Sequence, residues 1–164
     1  MALILNIETA TKNCSVSLSK EGKTIVCKEI AAQNFSHAEK LHLFIAEVLA
    51  ENNLVFSDLS AVAVSQGPGS YTGLRIGVSS AKGLCYALNI PLIAVDTLQL
   101  LAKQIQIEKG IILPMIDARR MEVFTAFYDK NHQQIRTTQA EIIDVTSYQE
   151  ISDTIHLVGD GIEK

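Results

Sequence analysis

A glycine-rich stretch at residues 66–75, which reads Gln-Gly-Pro-Gly-Ser-Tyr-Thr-Gly-Leu-Arg, constrains the fold more than any other part of the sequence. It follows a short apolar run at 61–65 and precedes an amphipathic segment at 76–88. This order predicts a strand, a tight turn and a helix, a junction where α/β proteins commonly place ligands. Because glycine permits positive φ and close backbone approach whereas proline fixes φ, the stretch is either a binding loop or a tight connection.

The composition indicates a globular protein with an aliphatic core. Of the 164 residues, 48% are hydrophobic but only 5% are aromatic and none is tryptophan. The formal net charge of -4 argues against a chain that binds nucleic acid by bulk electrostatics. Three cysteines without a Cys-x-x-Cys spacing favour reduced thiols and a cytoplasmic location. No apolar run approaches the ~20 residues of a membrane span, and the N-terminus lacks the cationic start of a signal peptide.

Hydrophobic periodicity predicts an opening meander of three strands. The second strand alternates apolar residues with serines, which is typical of a strand with one buried and one polar face. A turn at 20–23 should join it to the third strand. Including the later apolar runs of this half, we expect strands at residues 3–7, 14–19, 24–30, 61–65 and 92–95.

Capping signals predict three helices in the same half. Ser36-His37-Ala38-Glu39 matches a capping box, and an apolar stripe follows it as far as a plausible stop at Asn52-Asn53. The second helix follows the glycine-rich stretch and should end at Asn89 in a left-handed conformation. The third should span residues 98–107, capped by Thr97 or Asp96.

The second helix carries many small residues: Gly73, Gly77, Ser80, Ala81, Gly83 and Ala87. The glycines and the serine among them lower helix propensity, so we expect close approach of another element to compensate. That element could be a sheet or helix of the same chain, or a helix of another subunit. The sequence leaves both possibilities open.

Beyond Gly110 the pattern of the N-terminal half starts again. An apolar run at 112–116 ends in Asp117 as the first strand ends in Glu8, an offset of 109 residues (117 minus 8). Each carboxylate precedes a short link, a strand, a turn and another strand-like run. This long repeat predicts duplicated lobes rather than a solenoid. We expect an N-terminal lobe at 1–108 and an abbreviated C-terminal lobe at 109–164.

Four motifs relate the chain to a known family. In chain order they are Ile7-Glu8-Thr9-Ala10-Thr11, Ser36-His37-Ala38-Glu39-Lys40-Leu41, the stretch at 66–75, and Asp117-Ala118-Arg119-Arg120. The duplicated lobes resemble the α/β fold of the actin-like, sugar-kinase and Hsp70 (ASKHA) superfamily, which is ribonuclease H-like. The motifs resemble the bacterial TsaB (YeaZ) family, the glycoprotease-like partner of TsaD. That family usually continues well past the turn at 159–161, so either the second lobe is minimal or the chain is truncated.

The resemblance implies a role in making N6-threonylcarbamoyladenosine on tRNA. There TsaB is a scaffold for TsaD, which performs the transfer, alongside a TsaC-type synthesis enzyme and the ATPase TsaE. It implies a heterodimer with a TsaD-like protein, a homodimer when alone, contact with tRNA only indirectly, and no membrane. Together with the small residues of the second helix, it suggests a partner interface formed by Leu41, Ile45, Gly73, Gly77, Ser80 and Ala81.

Catalytic motifs of the TsaD-like relatives are missing. Where these relatives carry a metal-binding His-x-x-x-His, this chain has Thr97 and Leu101, and leucine cannot bind a metal. Where they carry an acidic pair after the first strand, it has Lys12 and Asn13. His37 is five residues from His42, so the two lie on different helix faces and are expected to be solvated or capping. We expect a non-catalytic paralogue without metal or cofactor, and not a protease.

An enzymatic alternative rests on an anion or nucleotide cleft. The glycine spacing fits neither a Walker A motif nor a Gly-x-Gly-x-x-Gly fingerprint. Backbone amides at the helix start could still bind an anion, and the Asp117 to Arg120 cluster could bind phosphate or be an exposed hairpin link. A phosphotransferase or ATPase of the superfamily therefore stays open, with a cleft formed by Glu8, Thr9, Gly67, Gly69, Arg75, Asp117 and Arg119.

Overall fold

The computed structural model describes residues 2–31 and 37–164. The chain divides into two compact units, Met1–Val95 and Asp96–Lys164. The elements, in chain order, are β1 (Leu3–Glu8), β2 (Asn13–Lys20), β3 (Lys23–Ala31), α1 (His37–Ala50), β4 (Ala61–Gly67), α2 (Tyr71–Leu88), β5 (Leu92–Asp96), α3 (Thr97–Ala102), β6 (Ile111–Asp117), β7 (Glu122–Tyr128), β8 (Gln134–Ile142) and β9 (Ile155–Val158).

The first unit is built on a five-stranded sheet in the order β3-β2-β1-β4-β5. β1, β2 and β3 form the predicted antiparallel meander, whereas β4 runs parallel to β1. The strand period of two turns Leu5, Val16 and Leu18 into the core and the serines of β2 away from it. One face of the sheet is therefore apolar, and it is this face that the helices cover.

Helices α1 and α2 contribute to the core on that face. Leu41, Ile45 and Val48 of α1 are buried among the apolar side chains of β1, β2 and β4. Fully burying side chains of this kind stabilises a fold by about 1.5–3 kcal/mol each. The predicted Ser36 cap lies outside the described residues. The predicted stop agrees with the left-handed φ of 54° at Asn53.

Helix α2 begins earlier than its amphipathic pattern indicates. Its first residue is Tyr71, because the Ser70 hydroxyl oxygen accepts a hydrogen bond from the Gly73 amide at 3.3 Å and caps the helix there. Its end confirms the predicted left-handed cap, since Asn89 has φ 53° and ψ 45°. The last five residues of the glycine-rich stretch are therefore helical.

The second unit is built on a four-stranded sheet in the order β8-β7-β6-β9. It reproduces the first four positions of the first sheet, with an antiparallel meander and one parallel strand, and so confirms the predicted repeat. Leu98 and Ala102 of α3 form a buried cluster with Ile112 and Ile116 of β6. A second cluster includes Leu113 and other residues of β6 and β7, and side chains of the segment at 143–155 pack against it.

The predicted lobe boundary at 108/109 is wrong. The compact units meet between Val95 and Asp96, because α3 buries its apolar side against β6 and so belongs to the second unit. The helix is also shorter than the predicted 98–107 and ends at Ala102. Its predicted cap is confirmed, since the Asp96 carboxylate accepts a hydrogen bond from the Gln99 amide at 2.9 Å.

Two tyrosines of the second unit are expected to ionise at a higher pH than an ordinary tyrosine. Burial raises the pKa of Tyr128 and of Tyr148 to about 12, and a hydrogen bond from the Tyr148 hydroxyl to Glu141 adds to the effect at Tyr148. Since the ordinary value is about 10, their contribution to stability is complete below that pH and is lost as the pH rises toward 12. An alkaline titration followed by ultraviolet absorbance should show a late component that disappears in the double variant Tyr128→Phe, Tyr148→Phe; persistence of that component would contradict the assignment.

Candidate functional site

The turn after β1 is bound to the start of α2. The buried Thr9 hydroxyl donates a hydrogen bond to the Gly73 carbonyl oxygen at 2.8 Å. One residue further on, the Ala10 carbonyl oxygen accepts a hydrogen bond from the Ser70 amide at 2.6 Å. These bonds join residues about sixty positions apart in the sequence and fix the first turn of α2 against β1.

The glycines of the stretch are required by this close approach. A Cβ atom added at Gly69 would overlap the Ala10 carbonyl oxygen, and one added at Gly73 would overlap the Thr9 carbonyl oxygen. A Cβ added at Gly77 would overlap the Thr9 hydroxyl. The glycine-rich stretch is therefore a tight connection that accommodates the turn of β1.

Glu8, a predicted cleft residue, holds the same turn. One of its carboxylate oxygens accepts a hydrogen bond from the Ala10 amide at 2.6 Å, and the other accepts one from the buried Ser65 hydroxyl of β4. Both oxygens thus have donors within the first unit. The carboxylate thus links the turn after β1 to β4 through these two hydrogen bonds.

The anion-binding prediction for the stretch gains no support from its hydrogen bonds. The amides of Ser70 and Gly73 already have acceptors within the unit. The Arg75 guanidinium donates to the Tyr71 hydroxyl oxygen at 3.2 Å and lies 5.3 Å from the centre of that ring. Gly67 is buried with φ 114°, so its role is conformational. Anion binding here stays a prediction.

The Asp117 to Arg120 cluster forms the link between β6 and β7. The Asp117 carboxylate accepts a hydrogen bond from the Arg119 amide at 2.7 Å and forms an ion pair with the Lys164 ammonium at 2.5 Å. Arg119 and Arg120 are exposed and adopt left-handed φ values of 73° and 50°. The link is thus an exposed hairpin, and phosphate binding at this cluster stays a prediction.

The predicted partner interface is wrong for most of its residues. Five of the six are buried within the first unit: Leu41, Ile45, Gly73, Gly77 and Ala81. They contact β1, its turn and the core, so they are not exposed on the surface of the first unit. The sixth, Ser80, is half-buried, and its hydroxyl lies 3.4 Å from Nε2 of His42 on α1. Of the two explanations for the small residues, packing inside the chain accounts for the buried ones.

A different set of residues is exposed on the two helices. We call it the outer helical face and define it as His42, Leu43 and Ala46 of α1 with Ser79, Gly83, Tyr86 and Ala87 of α2. The contact between Ser80 and His42 places the two helices side by side. Tyr86 is 91% exposed, and a Cβ added at Gly83 would meet no atom within 4 Å. The 3.6-residue period of a helix could have distinguished the exposed residues of α1 and α2 from the buried ones, because the two sets lie on opposite sides of each helix. Residue size alone could not distinguish them.

Thr97 and Leu101, which stand where the relatives carry the metal-binding His-x-x-x-His, lie in the second unit. Thr97 is buried, and its hydroxyl has no hydrogen-bond partner among the described residues. Leu101 packs against the apolar cluster of α3 and β6. In the part of the chain that the structure describes, no group of three potential metal ligands comes together. His37, expected to be solvated or capping, is buried, with Nε2 3.0 Å from the Thr11 carbonyl oxygen.

The strand order defines the class of protein. A meander joined to parallel strands in the order β3-β2-β1-β4-β5, repeated in shortened form in the second unit, is the ASKHA fold predicted from the sequence. A solved structure described as YeaZ from Pseudomonas aeruginosa is similar, with a TM-score of 0.81, 27% sequence identity, and coverage of 99% of this chain and 78% of that one.

Sequence comparisons identify the family. A family model described as TsaD, tRNA N6-adenosine threonylcarbamoyltransferase, matches residues 24–154. The tRNA threonylcarbamoyladenosine biosynthesis protein TsaB of Bacillus subtilis is 37% identical over 76% of this chain and 54% of its own length. The protein of the same name from Escherichia coli is 34% identical over 80% of this chain and 57% of its own length. The chain belongs to the TsaB (YeaZ) family.

The matched region covers a little over half the length of these curated relatives. Activities and partners that belong to the whole relatives are therefore inferences for this chain. None of the helices in residues 2–31 and 37–164 is long and apolar enough to cross a membrane.

Proposed function

We propose that the protein is a non-catalytic scaffold subunit in the biosynthesis of N6-threonylcarbamoyladenosine on tRNA. In this role it dimerises with a TsaD-like protein in the cytoplasm, meets a TsaE-like ATPase through that complex, and contacts tRNA only indirectly. Alone, it forms a homodimer. The names of its family relatives support the pathway, and the family model described as TsaD supports descent from a common ancestor of both proteins.

The outer helical face is the observation that carries the partner proposal. Tyrosine is enriched among the residues that dominate binding at protein interfaces, and Tyr86 is almost fully exposed. Small residues beside it, Ser79 and Gly83, leave the helix backbone open to close approach. This revises the interface from the buried to the exposed side of the same two helices.

Substitutions at the TsaD-like catalytic positions support the non-catalytic part of the proposal. Leu101 packs in an apolar cluster, and the only polar group that Thr97 offers is a single buried hydroxyl, a weak ligand set for a metal. At the other position Lys12 is exposed, and the Asn13 amide donates a hydrogen bond to Glu29 at 3.0 Å. A lysine ammonium there would repel a metal cation.

Co-expression with a TsaD-like protein tests the proposal. The two chains should co-elute in size-exclusion chromatography. Gly83→Gln should abolish co-elution because its side chain fills the space beside Ser79, whereas Gly83→Ala should retain it. Separate elution of the wild-type chain would contradict the proposal. Micromolar binding of magnesium-ATP by the isolated chain in calorimetry would favour the phosphotransferase alternative instead.

A further inference from the structure

The surface of α2 is unusual in charge for this protein. The chain has a formal net charge of -4, yet the 18 residues of α2 include no aspartate or glutamate. The helix carries two cations, Arg75 and Lys82, and both are exposed. Neither has an ion-pair partner among the residues that the structure describes.

These cations line up with two exposed tyrosines. At about 100° per residue, Tyr71, Arg75, Lys82 and Tyr86 fall within an arc of about 60° on α2 and extend over roughly 22 Å. Tyr71 is 74% exposed and Tyr86 is 91% exposed. We call this set the basic stripe; it flanks the outer helical face and shares Tyr86 with it.

We propose that the basic stripe receives an acidic surface of the protein partner. The inference rests on the proposed function, and it adds the chemistry of the surface that must face α2. Unpaired cations at the rim of an interface favour a partner of opposite charge and speed its association. Tyrosine and arginine are also the residue types most enriched at interface hot spots.

The geometry of Arg75 suits a carboxylate. Its guanidinium is held by the Tyr71 hydroxyl oxygen at 3.2 Å and lies 5.3 Å from the centre of the Tyr71 ring, which orders the side chain before binding. Only one of its five N–H groups is used in that bond, so others remain for a carboxylate. An ordered guanidinium loses less side-chain entropy when it binds.

The charges on the neighbouring helix do not cancel the stripe. Lys28 of β3 pairs with Glu47 of α1 at 2.8 Å and also with Glu51, directly after α1, at 2.6 Å. The remaining acid on α1 with an exposed side chain near the outer helical face is Glu39, three residues before His42. The two helices together carry three cations, Lys40, Arg75 and Lys82, against two acids, a net charge of +1 (3 minus 2) within an acidic chain.

A protein partner fits these charges better than RNA does. Two cations can neutralise few phosphates, and an acidic chain repels a polyanion as a whole. A folded protein with a local cluster of aspartates or glutamates needs only two or three contacts of this kind. It would also supply the apolar area that matches Tyr86.

Charge reversal tests the inference. In surface plasmon resonance with an immobilised TsaD-like protein, Arg75→Glu and Lys82→Glu should each weaken binding about tenfold, mainly through slower association, and the wild-type affinity should fall with rising salt. Lys130→Glu, an exposed lysine of the second unit, is the matched control and should change affinity little. Circular dichroism checks that each variant is folded.

The possible outcomes separate this inference from the proposed function. If Gly83→Gln abolishes binding but both reversals bind like wild type, the inference is overturned and the proposed function stands. If the wild-type chain does not bind the TsaD-like protein, both are overturned. The same variants are tested against total tRNA by fluorescence anisotropy; binding of tRNA that both reversals abolish would assign the stripe to RNA and overturn the inference.

Discussion

Replacing Gly73 with alanine is expected to lower the free energy of unfolding of the first unit by about 2–3 kcal/mol. The added methyl group would overlap the Thr9 carbonyl oxygen, a backbone atom that the turn after β1 holds in place. Relief would require α2 to move away and lose the 2.8 Å hydrogen bond from the Thr9 hydroxyl. Chemical denaturation followed by circular dichroism measures the change.

Gly83→Ala is the matched control for this prediction. It is the same substitution in the same helix, but the added Cβ would meet no atom within 4 Å. It should therefore raise stability by about 0.5–1 kcal/mol, because alanine favours the helix over glycine. Hydrogen exchange with mass spectrometry should place the loss for Gly73→Ala in the first unit. If Gly73→Ala is as stable as the wild-type chain, the turn after β1 moves to accommodate the added methyl group and the prediction is wrong.

Replacing Tyr86 with alanine is expected to weaken binding of a TsaD-like protein by about 2 kcal/mol, or roughly thirtyfold. The side chain is 91% exposed, so its loss should change the stability of the isolated chain by less than about 0.5 kcal/mol. Isothermal titration calorimetry measures the affinity, and thermal unfolding measures the stability. A large loss of binding without loss of stability is the signature of an interface residue.

Val145→Ala is the control for Tyr86→Ala. Val145 is 94% exposed and apolar, but it lies in the second unit and outside the outer helical face. It should bind the partner like the wild-type chain. Equal affinities for Tyr86→Ala and Val145→Ala would place the partner elsewhere on the surface.

Most of the fold could be predicted from local patterns. Alternating apolar residues and serines predicted β2, and the recurrence of a strand ending in a carboxylate predicted the second sheet. Both signals depend on residues close in sequence. The amphipathic pattern of α2 begins at residue 76, five residues after the helix itself, because the Ser70 hydroxyl caps the helix at Tyr71.

Residue size could not predict which small residues of α2 are exposed. Gly77 and Gly83 are both glycines of α2, yet the first faces the Thr9 hydroxyl whereas the second faces open space. The neighbour that decides between them lies about seventy residues away in the chain. For the same reason the lobe boundary before α3 could not be predicted, because the partner of this helix, β6, follows it in sequence and nothing local separates the helix from β5.

Reconstitution of the modified nucleoside tests the central claim most directly. The 164-residue chain is combined with a TsaD-like protein, a TsaC-type enzyme, a TsaE-like ATPase and unmodified tRNA, and threonylcarbamoyladenosine is measured by mass spectrometry. A non-catalytic scaffold predicts product only when both the chain and the TsaD-like protein are present, and loss of product with Gly83→Gln. Product formed without the TsaD-like protein, or undiminished product when the chain is omitted, would contradict that role.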